Sequence, residues 1–258
     1  MTVARKQAGN TTKRHDEGSK ALPRSRRLKR VVIVAMALVL SSASVGIALG
    51  VRYATDLMAL PLLAQRRNSE HGGTWVQLSQ VSPWFTRALI ATEDESFYTN
   101  WGISFEGIVR AIWVDVRTGR FTEGGSTLTQ ELVRDLLLSP KKTLQRKFTG
   151  AVLSLYTALL YPKNQVLTMY LNEVYLGDGA YGINTASEHY FGVPASRLTL
   201  AEGALLAGLP QAPSAYDPLA HLDLAKIRQH EVLERMVTTG LISQTRANRA
   251  YDQPLPLR

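Results

Sequence analysis

Residues 91–102, ATEDESFYTNWG, contain three consecutive acidic residues that are followed, after one serine, by an aromatic pair. A helix start lies upstream at Ser82-Pro83, with Ser as the N-cap and Pro at the first helical position. Apolar residues at helical spacing predict that this helix buries one face, and Glu93 falls partly on that face. Burial beside apolar groups raises the pKa of a carboxyl group, so Glu93 is a candidate proton acceptor near neutral pH. These residues alone leave a solvated acidic helix end as an equal alternative.

The charge of the chain is concentrated at its N-terminus. The 258 residues carry a net charge of +9, and residues 1–30 hold ten basic residues against two acidic ones, a net charge of +8. The remaining 228 residues are therefore nearly neutral, at +1. This distribution argues against a nucleic-acid-binding surface. The absence of cysteine excludes disulfides and thiolate metal ligands and leaves the redox compartment open.

An uncharged run of 21 residues follows at 31–51, VVIVAMALVLSSASVGIALGV. Its length suits one helix that crosses a bilayer. Because the basic residues precede it, the positive-inside rule places residues 1–30 in the cytoplasm as a basic tail and the rest of the chain outside. A cleaved signal peptide is the alternative, but the apolar run exceeds a signal core and about thirty polar residues precede it. We therefore predict an uncleaved transmembrane anchor.

A membrane-proximal segment, residues 52–74, continues the apolar helical pattern as far as an interruption at Pro61. Its apolar part, Leu57–Leu63, can extend the anchor or cap the core of the following domain, and the sequence does not choose between them. Residues 75–81 predict a short strand.

Beyond residue 82 the pattern is overwhelmingly helical. A capping box, Thr199-x-x-Glu202, opens a helix that ends at Gly208. Further helices are predicted over 107–116, 143–161, 163–175, 226–239 and 243–251. No strand alternation persists, and no repeat or Gly-rich linker divides the region. The sequence therefore predicts one mostly α-helical domain over residues 75–258.

A second group of candidate residues lies at 122–135, TEGGSTLTQELVRD. Its Gly-Gly turn and a Thr127-x-x-Gln130 capping box feed a helix N-terminus, which suits an anion such as phosphate. Gln130 and Arg134 share one helix face, and four basic residues follow, Lys141, Lys142, Arg146 and Lys147. In a nearly neutral domain this is a concentrated basic patch. A solvated basic face, or contact with acidic lipid headgroups, is the alternative.

Four stretches together carry a resemblance to a known family: ATEDESFYTNWGI (91–103), EGGSTLTQELVRDLLL (123–138), LQRKFTGAVLSLYTALLYPKNQVLTMYLNEVYLG (144–177) and LLAGLPQAPSAYDP (205–218). In order and spacing they resemble the motifs of peptidoglycan glycosyltransferases, glycosyltransferase family 51. This family forms the polymerase domain of class A penicillin-binding proteins and the monofunctional transglycosylases. The resemblance runs from about residue 75 to the C-terminus, and the chain ends where a transpeptidase domain would begin, which indicates the monofunctional type.

The resemblance implies a lysozyme-like helical fold and the polymerisation of lipid II with inversion. An acceptor hydroxyl would attack the anomeric carbon of a glycan chain that bears undecaprenyl pyrophosphate. Glu93 matches the family's general base, Asp94 its companion acid and Phe97 its aromatic support. The positions that match donor-binding residues are Gly125, Ser126, Thr127 and Gln130, and those that match pyrophosphate-binding residues are Arg134, Lys142, Arg146 and Lys147.

The same resemblance implies a cellular setting. The protein is expected in the bacterial cytoplasmic membrane as a single-pass protein, with its catalytic domain on the periplasmic side. Its expected partners are lipid II, the growing glycan strand and the membrane, together with transpeptidases or other cell-wall proteins, and no nucleic acid. The family's use of a divalent cation, Mg²⁺ or Mn²⁺, is a further expectation, although no compact ligand set in the sequence identifies a metal site.

Three positions depart from the family pattern. Asn100 stands in place of a His, Glu131 in place of the second residue of a Gln pair, and Gly150 in place of the Glu that ends the R-K-x-x-E motif. A later acidic position on the same helix is Ala158. The loss of a catalytic carboxylate commonly lowers the rate by orders of magnitude.

Three functions stay open from the sequence. One is an active glycosyltransferase in which Glu131 or Glu123 replaces the missing acid. The second is a catalytically impaired relative that binds lipid-linked glycan or scaffolds cell-wall synthesis. The third is a lytic muramidase, which would share the expected fold and the single Glu. The basic patch argues against the third, because cleavage of an uncharged glycan needs no such patch.

Overall fold

The structure is a computed structural model that describes residues 24–107, 109, 113, 117, 125–141 and 143–258. Most of the helix predicted over 107–116, and also Glu123 and Lys142, lie outside the described residues. The described part contains eleven α-helices and no β-strand, and one isolated antiparallel bridge joins Tyr175 and Tyr181. The prediction of a mostly helical protein is confirmed.

Helix α1, Arg24–Arg52, contains the apolar run. Its segment Val31–Arg52 has a mean hydropathy of 2.4 and is long and apolar enough to cross a membrane. The chain divides into two compact units between Val45 and Gly46, and the second unit contains the clefts and their lining residues.

Ten α-helices with described bounds follow α1 in the second unit. Their bounds are α2 Ala54–Met58, α3 Leu60–Glu70, α4 Pro83–Glu93, α5 Leu128–Leu137, α6 Leu144–Leu160, α7 Lys163–Glu173, α8 Ile183–Phe191, α9 Leu200–Gly208, α10 Leu222–Thr238 and α11 Gln244–Asp252. The N-caps predicted at Ser82, Thr127 and Thr199 are confirmed, because each side chain accepts a hydrogen bond from a backbone N–H of its helix. Helix α8 was not predicted, and α10 begins four residues before its predicted start.

The predicted strand at 75–81 is wrong. The chain is extended at Gln77 and then forms a single 3₁₀ turn, Leu78–Gln80. No neighbouring strand pairs with the described backbone here; instead the Asn172 side chain accepts from the Val76 N–H and donates to the Val76 carbonyl, both at 2.8 Å. A side chain therefore satisfies the backbone groups that a sheet would have used.

The interruption predicted at Pro61 occurs two residues earlier. Helices α2 and α3 meet at Ala59, and Pro61 occupies the first turn of α3, where its missing N–H has no helical partner to lose. One face of this segment caps the core, since Leu57 and Leu60 are 2% and 0% exposed. Met58 and Leu62 stay largely exposed on the other face.

Helix α9 forms the centre of the core. All nine of its residues are buried, and it packs against α4 on one side and α10 on the other. A Cβ atom at Gly203 would lie 2.9 Å from the backbone nitrogen of Phe85, so the absence of a side chain lets α9 and α4 approach closely. This packing brings the C-terminal end of α4 next to α10. Helices α5, α6 and α7 pack together on the other side of the unit, with α3 against α7.

Substitution Asn172→Ala should lower the free energy of unfolding by about 2–4 kcal/mol, because it removes buried hydrogen bonds and leaves the Val76 N–H and carbonyl unpaired. Chemical denaturation monitored by tryptophan fluorescence would measure the change. The matched control is Asn164→Ala on the same helix, whose side chain is exposed and should cost less than 1 kcal/mol. Equal stability of the two variants would contradict the structural role of Asn172.

Candidate active site

Glu93 is the last residue of α4, and its side chain is only 16% exposed. Arg228 of α10 approaches it, with Nη2 3.3 Å from Glu93 Oε1. The same guanidinium donates from Nε to the carbonyl of Gly208 at 3.2 Å, which fixes its position. Burial raises the pKa of the Glu93 carboxyl group, and the charge and hydrogen bond of Arg228 oppose that rise. The prediction that Glu93 turns inward is confirmed, and its environment suits a proton acceptor.

Asp94 connects the acidic segment to α5. Its side chain is buried and accepts hydrogen bonds from the backbone N–H of Leu128 at 3.1 Å and from Ser96 Oγ at 3.1 Å. Asn100 Nδ2 donates to it at 2.9 Å, and Asn100 in turn accepts from Lys163 Nζ at 2.8 Å. Burial raises the pKa of Asp94, while these donors oppose the rise. Both carboxylate oxygens are used within the protein, so Asp94 orients the first turn of α5.

Two other residues that match family positions, Phe97 and Thr127, have side chains that are buried inside the protein. Phe97 is fully buried in the core, with Lys163 Nζ 4.9 Å from its ring centroid. Thr127 is fully buried and donates from Oγ1 to the carbonyl of Gly102 at 2.7 Å. Gly102 has φ +84°, and a Cβ atom there would lie 2.2 Å from the carbonyl oxygen of Ser154. Neither Phe97 nor Thr127 offers its side chain to a ligand in this arrangement.

Two clefts meet at Ser126. The smaller one, about 250 Å³, is lined by Thr92, Glu93, Asp94, Glu95, Ser96, Ser104, Glu106, Gly107, Gly125, Ser126 and Arg235. The larger one, about 680 Å³, is lined by Arg67, Ser126, Gln130, Arg134, Asp135, Leu138, Pro140, Arg146, Lys147, Gly150, Ala151, Pro210 and Gln211. Ser126 lines both, so the acidic group at Glu93 and the basic group are neighbours. We call them the acidic cleft and the basic cleft.

Four cationic side chains line the basic cleft, Arg67, Arg134, Arg146 and Lys147. Arg134 is paired with Asp135, with Nε–Oδ1 at 2.7 Å and Nη2–Oδ2 at 3.1 Å. By contrast, Arg146 Nε is buried without a hydrogen-bond partner in the described part of the chain. A buried guanidinium N–H without an acceptor is unfavourable, and an anionic ligand would supply one. Gln130 lines the cleft while its Oε1 accepts from the Thr127 N–H.

The structure adds three charged residues that the sequence patterns did not single out. They are Arg228 beside Glu93, and Arg67 and Glu173, whose Nε and Oε1 atoms lie 3.2 Å apart. Arg67 also donates to the Asp135 carbonyl, so α3 is tied to α5 at the basic cleft. Glu173 is 4% exposed, and its burial raises the pKa to about 8. No local spacing links these residues to the motifs, since they come from three separate helices, α3, α7 and α10.

Two of the three substituted family positions, Glu131 and Gly150, lie beside the clefts. Glu131 accepts a hydrogen bond from Tyr170 Oη at 2.9 Å, and burial together with the charge of Glu93 raises its pKa to about 7. Gly150 lines the basic cleft, and a Cβ atom there would lie 3.3 Å from Leu138 Cδ1. A side chain at residue 150 would thus begin at the cleft wall with only the flexible end of a leucine against it.

The described residues do not define a metal site. None of them forms a group of three or more His, Cys, Asp or Glu side chains arranged to hold a metal ion. The divalent cation implied by the resemblance stays a prediction, and no step below depends on it.

Comparison with known proteins identifies the class. A family model described as Transglycosylase matches residues 61–237, more than half of the chain. The chain therefore belongs to the transglycosylase family. A protein of Cupriavidus necator that is named as a transglycosylase is 39% identical over 199 residues, which are 77% of this chain and 86% of the relative.

Penicillin-binding proteins share the same region. Penicillin-binding protein 1A of Escherichia coli is 44% identical over 66% of this chain, and that of Aquifex aeolicus is 39% identical over 71%. The matched regions make up 20% and 25% of the length of these relatives. A crystal structure of penicillin-binding protein 1A from Haemophilus influenzae also matches, with 24% sequence identity and a TM-score of 0.43. The match covers 72% of this chain and 18% of the chain in the crystal structure.

Substitution Glu173→Gln should reduce the loss of thermal stability that the wild type shows as the pH rises from 5 to 8.5. The folded state raises the pKa of Glu173 from 4.5 to about 8, so the stabilisation that this group provides below its unfolded pKa is lost as pH rises towards 8. A glutamine stays neutral throughout. Between pH 5 and 8.5 the Tm of the variant should gain about 3 °C or more relative to the wild type.

Thermal unfolding in detergent, followed by tryptophan fluorescence, would measure this difference. Glu188→Gln on α8, an exposed residue with the same chemical change, is the control and should follow the wild type. A Tm difference between Glu173→Gln and wild type that stays constant with pH would show that Glu173 is ionised in the folded protein across the range.

Proposed function

We propose that this chain is a peptidoglycan glycosyltransferase that polymerises lipid II into glycan strands with inversion. The observation that carries the proposal is the adjacency of the two clefts. Glu93 lines one, four cations line the other, and Ser126 lines both. Transfer of a sugar from a pyrophosphate needs a proton acceptor and a group of cations on the two sides of one reacting carbon, and these clefts offer that arrangement.

Glu93 is the proposed general base. The acceptor hydroxyl would lie in the acidic cleft and pass its proton to Glu93 while its oxygen bonds to the anomeric carbon of the donor. Arg228, at 3.3 Å, favours the ionised form before the reaction, and the low exposure of Glu93 favours acceptance of the proton during it. The opposing effects of burial and of Arg228 keep the carboxylate both charged and basic.

The basic cleft is the proposed site of the undecaprenyl pyrophosphate. As the bond from the anomeric carbon to the pyrophosphate oxygen breaks, the electron pair leaves with that oxygen and negative charge grows there. Arg134, Arg146 and Lys147 would stabilise this charge. Arg146 Nε, which has no acceptor among the described residues, would gain one. Lys142 is included in this group by the family resemblance alone. Stabilisation of the leaving charge is the main electrostatic requirement of such a step.

A membrane location follows from the nature of the substrate. We propose that the apolar segment of α1 is a single-pass anchor in the bacterial cytoplasmic membrane, with residues 52–258 on the periplasmic side. Exposed apolar side chains on α6 support contact with lipid, and they are Leu144, Phe148, Leu159 and Leu160. A transpeptidase or another cell-wall protein is the proposed partner that would use the glycan product.

Substitution Glu93→Gln should lower the rate of lipid II polymerisation at least about 100-fold, because the base is lost while the shape of the side chain is kept. Labelled lipid II incubated with the purified full chain in detergent, followed by electrophoresis of the glycan products, would measure this rate. Glu188→Gln is the control and should polymerise like the wild type. Binding of lipid II should be retained by both variants.

Other outcomes of this assay point to other functions. Binding of lipid II without any polymer from the wild type, across divalent metals, would support the non-catalytic alternative. Release of fragments from preformed peptidoglycan would instead support a lytic muramidase. The basic cleft disfavours the latter, because an uncharged glycosidic leaving group gives four cations nothing to stabilise.

The non-catalytic alternative is favoured by one observation, the glycine at residue 150. Gly150 lines the basic cleft where the family pattern has a glutamate, so this carboxylate is absent from the cleft wall. On this alternative, the chain would bind lipid-linked glycan through the basic cleft and scaffold the machinery that polymerises it.

Substitution Gly150→Glu should raise the polymerisation rate about tenfold or more if the missing carboxylate only weakens catalysis. The space at residue 150 permits a side chain, since its nearest neighbour is the flexible end of Leu138 at 3.3 Å. Gly150→Ala is the matched control: it should stabilise α6 by up to about 1 kcal/mol without any gain in rate. A folded Gly150→Glu variant without a gain in rate would show that the site no longer uses this carboxylate.

A further inference from the structure

Glu131 is a half-buried carboxyl group with no role in the proposed mechanism. It lies on α5 between Gln130 and Arg134, two residues that line the basic cleft. The titratable or charged groups that act on it are Glu93 from α4, Arg134 and Asp135 from α5, and Tyr170 from α7. Glu131 therefore lies between the proposed base and the proposed anion site.

The nearby cations are engaged by other carboxylates. Arg134 makes a bidentate pair with Asp135, at 2.7 and 3.1 Å, and Arg228 approaches Glu93 at 3.3 Å. Within the part of the chain that the structure describes, Glu131 takes part in no ion pair. Its contact is the hydroxyl of Tyr170, a side chain that is 1% exposed. Partial burial without a paired cation disfavours the charged form of a carboxyl group, so this geometry favours the neutral acid.

The titration of Glu131 is consistent with that geometry. Burial raises its pKa, and the charge of Glu93 raises it further, to about 7. Glu131 therefore keeps its proton until the pH is near neutral. The hydroxyl of Tyr170 has a pKa well above its ordinary value and remains a donor throughout this range.

We propose that Glu131 is a neutral carboxylic acid when a pyrophosphate group occupies the basic cleft, and that its ionisation weakens the binding of that group. Loss of the proton to solvent would place a new negative charge next to the cations that bind the ligand. The ionisation state of Glu131 thus makes the affinity for the anion depend on pH. The inference rests on the proposed function for its ligand, a pyrophosphate group.

The size of the effect follows from simple linkage. If only the form with protonated Glu131 binds the anion, the apparent Kd is divided by the protonated fraction. At one pH unit above the pKa this fraction is about one eleventh, so the affinity falls about tenfold. Glutamine has the shape of a protonated glutamate and cannot ionise, so Glu131→Gln should remove this fall.

The test measures the binding of inorganic pyrophosphate to the full chain in detergent by calorimetry between pH 6 and 8.5. Pyrophosphate itself titrates in this range, so the compared quantity is the Kd of the wild type divided by the Kd of Glu131→Gln at each pH. This ratio should rise from near one at pH 6 to about ten at pH 8. The control Glu188→Gln should give the same Kd as the wild type at every pH.

A second variant keeps the test informative if Glu131→Gln does not fold. Tyr170→Phe removes a donor that favours the ionised form of Glu131, so the fall in affinity should move to higher pH. A fall that does not move, or a ratio of wild type to Glu131→Gln that stays constant from pH 6 to 8.5, would overturn the inference.

Polymerisation of lipid II by the wild type at pH 6 separates this inference from the proposed function. Polymer together with a constant ratio would overturn the inference alone. A rising ratio without polymer would support the role of Glu131 in anion binding while the proposed enzyme activity fails. No binding of pyrophosphate at any pH would overturn the inference through its assignment of the ligand.

Discussion

The hydrogen bond from the Leu128 N–H to Asp94 determines how the parts of the site meet. Asp94 directly follows the last residue of α4, and Leu128 is the first residue of α5, so one carboxylate joins the end of the acidic segment to the start of the basic helix. The carboxylate is also well placed at the positive end of a helix dipole. Through this contact Glu93 and Arg134, which are far apart in the chain, face neighbouring clefts.

Charge pairing then divides the site into two kinds of group. Three carboxyl groups lie beside a cation: Glu93 beside Arg228, Asp135 beside Arg134, and Glu173 beside Arg67. Two groups do not follow this rule, since Glu131 has only the Tyr170 hydroxyl and Arg146 Nε has no partner in the described part of the chain. The paired groups fix the geometry of α3, α5 and α10 around the clefts. The other two are the groups whose state a bound anion would change.

The local elements were predictable wherever a short-range pattern decides them. Ser82, Thr127 and Thr199 were recognised as N-caps because capping depends on residues within one turn. The prediction of a strand at residues 75–81 is wrong because the residue types there favour extended backbone, but the hydrogen-bond partner of Val76 is a side chain. That side chain belongs to Asn172, almost a hundred residues later. The same limit explains Leu57, whose burial is set by its distant neighbours Val133 and Leu153.

The sequence by itself determined the class of the domain, its helical character, the candidate base Glu93 and most of the cations of the basic cleft. Those residues lie in contiguous motifs, where identity and spacing are sufficient. Tertiary structure decided which groups act on them: Arg228 on Glu93, Glu173 and Arg67 beside the cleft, and Tyr170 on Glu131. It also showed that Asp94, Phe97 and Thr127 are used inside the protein. The physical reason is that burial and charge pairing depend on groups brought together from separate helices, which no local pattern records.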